Sequence, residues 1–190
     1  RTLYEQRVDG IILCTTGKVN DDIRFLLGQG LPIVLVDRPV FSIPTHIVAD
    51  NNAVGMELLV KHLYELGHRR IGVVHGDLNN TVHGPIRYDA VLKAFDQFKL
   101  NLPDNLQEEG GFSFKGGYRA TERFFSMDHP PTALLSANNN MTAGILKACR
   151  DNRIRIPQDV SVVSFGINFY IFSNGNIFAN ISEGSNIMIR

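Results

Sequence analysis

Short runs of apolar residues alternate along this chain with longer stretches of helical period. Val8 to Cys14 (VDGIILC) reads as a strand, and Gly30-Leu31-Pro32 punctuates before a second, Ile33 to Val36. A short run covers Ile47 to Ala49, and IGVVH, Ile71 to His75, is a third clear strand. Ala133 to Ala137 (ALLSA) and Val160 to Phe165 (VSVVSF) complete the set. Runs that are apolar on both faces predict a parallel sheet with helices over each side.

The intervening segments carry the 3.6-residue stripe. From Asn51 it runs through Val54, Leu58, His62 or Leu63, and Leu66, with Gly67 as the stop. From Pro85 it runs through Tyr88, Val91, Leu92, Phe95 and Phe98. Asn139 to Asn152 places Met141, Ile145, Ala148 and Cys149 on one face, and Ser113 is a candidate cap for a helix bearing Thr121, Phe124 and Phe125. A strand–helix repeat of this kind requires right-handed crossovers, so the fold class is α/β with a doubly wound sheet.

Composition narrows the class. At 190 residues the chain holds one domain or two small lobes, and 44% hydrophobic with 20% charged residues describes a globular chain rather than a disordered one. Nineteen basic and nineteen acidic side chains cancel, which argues against a nucleic-acid-coating surface. Cys14 and Cys149 are far apart and outside any Cys/His cluster, so both read as buried, reduced thiols. Reduced thiols point to the cytoplasm; no apolar run reaches the roughly 18 residues of a membrane span, no signal peptide is visible, and the opening residue is Arg1, as expected of a fragment. From Ser161 onward Glu183 and Arg190 are the only charges, while five aromatic and five asparagine residues accumulate, a composition expected to be buried.

Catalytic signatures are missing. The glycine-rich stretch Gly110 to Gly117 fits neither the GxGxxG spacing of a dinucleotide loop nor a phosphate-cradling GxxxxGK[ST], and GxSxG and HExxH are absent. The histidines are scattered apart from His62 and His68 beside a helix end, where solvation or capping is the ordinary role. The His68-Arg69-Arg70 run reads as a turn with solvated cations. What remains is a cleft, because ligands of open α/β sheets bind beyond the carboxyl ends of the strands. Cys14-Thr15-Thr16, Asp37-Arg38-Pro39, the loop Gly76 to Gly84, Gly111-Phe112 and Asn138-Asn139 fall there. A carboxylate, a planar amide and an aromatic face suit a polyhydroxylated ligand.

Several motifs, taken in order, carry a family resemblance: Arg7-Val8-Asp9-Gly10-Ile11-Ile12, Val36-Asp37-Arg38-Pro39, Asp50-Asn51 with Gly55, and Leu66-Gly67-His68-Arg69-Arg70-Ile71-Gly72. Pro130-Pro131-Thr132-Ala133, Ala137-Asn138 with Met141 and Gly144, and Ile156-Pro157-Gln158-Asp159-Val160-Ser161-Val162-Val163 extend it. In these stretches the chain resembles the LacI/GalR family of transcriptional repressors, whose core is similar to a periplasmic sugar-binding protein. The resemblance implies two lobes of doubly wound parallel sheet truncated at both ends, with 1–48 as part of the N-terminal lobe, 49–177 as the C-terminal lobe, and 178–190 returning towards the first. It also implies that the operator-reading domain is missing, so that DNA is met only through that absent part.

Carried over residue by residue, the resemblance gives Asp37 as the carboxylate gripping sugar hydroxyls, Phe112 as the stacking aromatic and Asn138 as the hydrogen-bonding amide. Cys14 takes another cleft position, although a thiol is a poor partner for hydroxyls. Each has an ordinary alternative: Asp37 capping a turn, Phe112 packing in the core, Asn138 satisfying loop backbone. Three departures stand out. The family's Arg is Gly84 here while Arg87 takes the family's Gly position, an acidic residue is Gly111, and an Asp is Gly166. Charged hydrogen bonds contribute about 1.5–3 kcal/mol each, so losing two weakens a typical sugar by several kcal/mol. Compensation by His83 or Arg87, a different effector, or a tail foreign to a working family member are the three readings. Arg87, ordinarily on a solvated helix face, is therefore a candidate contact.

The expected function is a regulatory core: a small-molecule effector, a sugar by resemblance, is clasped by both lobes, and the changed lobe orientation alters operator affinity. A homodimer using faces such as Leu58 to Leu66 is expected, with no cofactor, no metal, no membrane and no catalysis. The rival readings are a periplasmic sugar-binding protein of a transport system and a small α/β enzyme.

Overall fold

The computed structural model describes residues 2–16, 21–40 and 42–166 and the backbone of 186–189. The chain divides into two compact units, Arg1–Asp50 and Asn51–Arg190.

The first unit contains α1 (Thr2–Glu5), β1 (Ile11–Cys14), α2 (Asp21–Gly28), β2 (Ile33–Val36) and β3 (His46–Val48), with the strands parallel in the order β1-β2-β3. The first strand starts at Ile11 rather than Val8. Pro32 has no N–H to give a partner strand, so the ladder opens with Ile11 N–H donating to the Pro32 carbonyl at 2.9 Å. Leu26, Ile33, Leu35 and Val40 form the core, with Ile11 and Leu13 packed against it. The expected burial of both sheet faces does not hold here. Ile12 is 79% exposed and Val48 66%, because among the described residues the helix cover lies on the face of Leu35. Cys14 shares the bare face and is exposed, contrary to the expectation of a buried thiol.

The second unit meets the both-faces expectation. Its elements are α3 (Asn52–Glu65), β4 (Ile71–His75), α4 (His83–Gln97), β5 (Gln107–Glu109), α5 (Phe114–Phe125), β6 (Ala133–Ser136), α6 (Asn139–Asp151), β7 (Ser161–Phe165) and β8 (Asn186–Ile189). The sheet order is β5-β4-β6-β7-β8, parallel except for β8, which runs antiparallel to β7 as an edge strand. Every residue of β4 and β6 is buried. The polar edge strand β5 (QEE) carries no apolar pattern and was not legible in the sequence. The expected return segment 178–190 lies outside the described residues apart from the backbone of β8.

Helix ends follow the local chemistry. The Asn51 side chain accepts from Val54 N–H, Ser113 from Gly116 N–H and Asn138 from Met141 N–H. Gly67 (φ 88°) closes α3: its N–H reaches the Tyr64 carbonyl and His68 N–H the Leu63 carbonyl. The buried face of α3 is Met56, Leu59, Val60 and Leu63, whereas the stripe of Val54, Leu58 and Leu66 faces outward. A helix apolar on most of its circumference offers two faces, and the sheet takes the one that meets Ile71 and Leu134 in the core. Met141, Ile145, Ala148 and Cys149 of α6 are buried as expected, and burial pushes the Cys149 thiol up to about 12.

The run after Gly67 is tied down rather than freely solvated. Arg69 lies 4.0 Å over the Tyr64 ring, and Arg70 Nε donates to the His129 carbonyl at 2.8 Å. The His68 ring bridges two strand starts, Nδ1 to Thr132 Oγ1 at 2.9 Å and Nε2 to Ser161 Oγ at 3.0 Å. Partial burial holds its pKa below the ordinary 6.5. The unfolded chain therefore binds more protons than the folded one once pH falls below that value, and stability declines from there downward. The urea midpoint is expected to be lower at about pH 5.5 than at about pH 7.5, with His68→Asn narrowing the difference. An equal decline in the variant would assign the acid sensitivity to other groups.

Candidate functional site

The carboxyl ends of β4, β6 and β7 are built from glycine, asparagine and one aromatic ring. Strand β4 ends at His75, whose Nδ1 lies 2.8 Å from the Gly76 carbonyl oxygen and whose ring packs 4.8 Å from that of Tyr88. The loop that follows is fastened to itself. Asp77 Oδ1 accepts from the Asn79 and Asn80 N–H groups at 2.8 Å, and Oδ2 accepts from the Asn80 amide at 3.0 Å. These bonds, the Asn80 side chain foremost, hold the Asp77 carboxyl below the usual carboxylate range. Thr81 Oγ1 donates to the Asp77 carbonyl at 2.6 Å and accepts from Gly84 N–H at 3.1 Å, which seats the start of α4 on the loop.

Each residue singled out in the sequence has a defined place. Phe112 follows Gly111, both left-handed at φ near 55°, and its ring fills the space that a side chain at Gly76 would need. The ring is part-buried against the second-unit core. Asn138 Oδ1 caps α6 through Met141 N–H at 2.9 Å, and its amide lies 3.4 Å from the Phe112 carbonyl. The amide of Asn140 reaches the same carbonyl at 3.5 Å. Phe112 and Asn138 are thus brought together. Arg87 is turned inward: Nε donates to Asn52 Oδ1 and Nη1 to the Ala137 carbonyl, each at 2.7 Å.

In the first unit, Asp37 ends β2 in the left-handed region (φ 69°), a conformation that Asp tolerates better than most side chains. Its N–H donates to the Val48 carbonyl at 2.9 Å, and its carboxylate lies 3.6 Å from Arg38 Nε. Arg38 Nη1 donates to the Thr15 carbonyl at 3.3 Å, joining the carboxyl ends of β1 and β2, where Cys14 stands exposed. A groove of about 580 Å³ opens at the opposite, amino edge of this sheet, lined by Leu27, Leu31, Pro32, Pro44 and His46. Its walls are mostly apolar and it lies away from Asp37. The polar residues singled out in the sequence stand instead at the carboxyl edge of this sheet, where Asp37 and Arg38 follow β2.

The three glycine departures have local causes. A side chain at Gly84 would collide with the Asp77 carbonyl oxygen, and one at Gly166 (φ 110°) with Asn139 Oδ1. Gly111 has open space around its missing Cβ, but its φ of 56° disfavours a side chain. Sequence reasoning placed Asn139 beside Asn138 at this edge but missed Asn140 and Asn52; the triple Asn run at 138–140 is the signal that pointed to Asn140. Among the described residues no group of three His, Cys, Asp or Glu side chains is placed to hold a metal ion. No helix among them is long and apolar enough to cross a membrane.

Comparison with known proteins adds names to this geometry. Residues 60–173 match the model of the periplasmic binding protein-like domain. The chain is 30% identical over 164 residues to the HTH-type transcriptional repressor PurR of Haemophilus influenzae (strain PittEE), covering 86% of this chain and 48% of that repressor. It is 29% identical over 166 residues to the ribose operon repressor of Escherichia coli (strain K12), covering 86% and 50%. The chain thus spans about half the length of the curated relatives it matches. The fold is similar to that of a LacI-family regulatory protein from Chloroflexus aggregans (TM-score 0.76, 24% identity, 86% of this chain and 58% of that one). A transcription regulator from Lactobacillus plantarum gives a TM-score of 0.77 at 22% identity, covering 87% and 62%.

The cap at Asn138 makes a direct prediction. Asn138→Ala is expected to lower unfolding free energy by about 1 kcal/mol, and Asn138→Ser to retain most of it. Denaturant titration checks both, and equal stability of the two variants would show that the cap contributes little.

Proposed function

Because the chain belongs to the periplasmic binding protein-like family, we propose that it is the effector-binding and dimerisation core of a LacI-family transcriptional regulator. The observation that carries this reading is the family match over 60–173, which contains both Phe112 and Asn138 at the carboxyl edge of the second unit. The relatives named as repressors support it. The ligand is a small, polyhydroxylated metabolite, a sugar or a close relative of one. Asn138 and Phe112 supply an amide and an aromatic face from the second unit, and Asp37 supplies a carboxylate from the first. Cys14, at the carboxyl end of β1 in the first unit, has little to offer hydroxyls.

The polypeptide acts by binding and catalyses no reaction. In a repressor of the relatives' kind the effector changes operator affinity only as far as its own affinity differs between the operator-competent and operator-released states. DNA is read by a part of the protein other than this chain, in keeping with a formal net charge of zero. A homodimer in the cytoplasm completes the proposal. The outward stripe of Val54, Leu58 and Leu66 on α3 supports self-association, since an exposed apolar stripe is stabilised by cover. A periplasmic transport protein is disfavoured by the relatives' names, which are those of transcriptional repressors.

A thermal-shift panel of pentoses, hexoses and nucleobases tests the ligand class, and one class is expected to raise the melting midpoint. Calorimetry of that ligand with Asp37→Ala is expected to show binding weakened about tenfold to a hundredfold, the loss of one charged hydrogen bond of about 1.5–3 kcal/mol. A panel without any stabilising ligand, or unchanged affinity in Asp37→Ala, overturns the corresponding part of the proposal.

A further inference from the structure

Arg87 stands on the second turn of α4, 9% exposed, at a position where the family resemblance places glycine. A cation so close to a helix N-terminus is opposed by the helix dipole, and burying it costs desolvation as well. Its place has to be explained by its partners. Nε donates to Asn52 Oδ1 at 2.7 Å, Nη1 donates to the Ala137 carbonyl at 2.7 Å, and the guanidinium carbon lies 4.0 Å from the centre of the Phe165 ring. One planar group therefore touches the first turn of α3, the loop after β6 and the last residue of β7.

Both polar partners are immediate neighbours of capping residues. Asn52 follows Asn51, which caps α3 through Val54 N–H and accepts Gly55 N–H on its carbonyl. Ala137 precedes Asn138, which caps α6 through Met141 N–H and accepts Thr142 N–H on its carbonyl. The geometry points to Arg87 as a positioning residue: its guanidinium locks the starts of α3 and α6 together across the carboxyl edge of the second unit. A lysine lacks the planar fork that sends two bonds to different elements while a face lies on an aromatic ring. Gly84, one turn earlier, has no room for the job, because a side chain there collides with the Asp77 carbonyl. For effector binding Arg87 acts through Asn138. That consequence rests on the reading above, whereas the lock itself is tested without a ligand.

The test follows amide hydrogen exchange by NMR in the whole chain carrying Arg87→Gly. Exchange at Val54, Gly55, Met141 and Thr142 is expected to speed up together, by about tenfold or more, as the two helix starts open. Guanidinium chloride at about 50 mM, far below denaturing levels, is expected to refill the vacated space and slow all four amides with one midpoint, which urea and sodium chloride do not do. Unchanged rates, a response at only one helix start, or failure of guanidinium to restore them overturns the inference. If Arg87→Gly does not fold, Arg87→Lys serves: it keeps the cation without the fork, and exchange at Val54 and Gly55 is expected to rise. Wild-type rates at all four amides in that variant overturn the lock.

Discussion

A parallel strand has two apolar faces, and each must be covered for the strand to be stable. The second unit satisfies this rule fully. Ile71, Val73, Leu134, Leu135, Val162 and Val163 are all buried, with α3, α4, α5 and α6 supplying the cover. Two of those helices meet backbone to backbone: a side chain at Gly117 would collide with the Met141 carbonyl, and one at Gly144 with that of Phe114. This close approach of α5 and α6 brings Ser113 and Asn138, the caps of the two helices, to the same sheet edge. The placement of polar groups at the carboxyl edge is therefore a product of how the core is packed. In the first unit the rule is met on one face, and Ile12 and Val48 show what the other looks like without cover.

Legibility in the sequence tracked the same physics. The apolar runs gave β4, β6 and β7 within a residue because burial on both faces favours apolar side chains throughout, and β2 was given by its unbroken IVLV run. Gly67 and Ser113 could be assigned to helix ends because capping is local chemistry, independent of the tertiary fold. The edge strand β5 escaped notice because its residues are Gln107, Glu108 and Glu109, as suits an edge that must discourage further pairing. The stripe on α3 was read from its period as Val54, Leu58, His62 or Leu63, and Leu66, of which Leu63 is buried while Val54, Leu58 and Leu66 are exposed. Periodicity identifies an apolar face but cannot say which of two such faces meets the sheet, and the core took Met56, Leu59, Val60 and Leu63.

The candidate site was legible in kind, less so in geometry. Strand ends put Phe112 and Asn138 in one neighbourhood, and the two do meet. Their bonding was not readable, because it depends on contacts distant in sequence: the Phe112 ring is set by the gap at Gly76, and the Asn138 carboxamide is engaged in capping. Arg87 illustrates the limit best. Its sequence position suggested a cation at the ligand, while its side chain runs inward to Asn52, 35 positions earlier, and to Ala137, 50 positions later.

The glycines at 84, 111 and 166 gain a different meaning from this geometry. Read as lost side chains, they describe a weakened sugar site. In the folded second unit two of them are places where a side chain cannot stand, filled by the Asp77 carbonyl and the Asn139 carboxamide, and the third has a backbone that favours glycine. At Gly84 and Gly166, then, a backbone carbonyl and a neutral amide stand where the family resemblance places charged side chains. Neutral hydrogen bonds are individually about half as strong as charged ones but cost less to desolvate when a ligand closes over them. An edge built this way discriminates by the placement of donors and acceptors and by the fit of an aromatic face more than by ionic attraction. Under the proposed function, such an edge favours an uncharged, hydroxyl-rich effector over an anionic one, with Asp37 of the first unit as the charged contact in the proposed set.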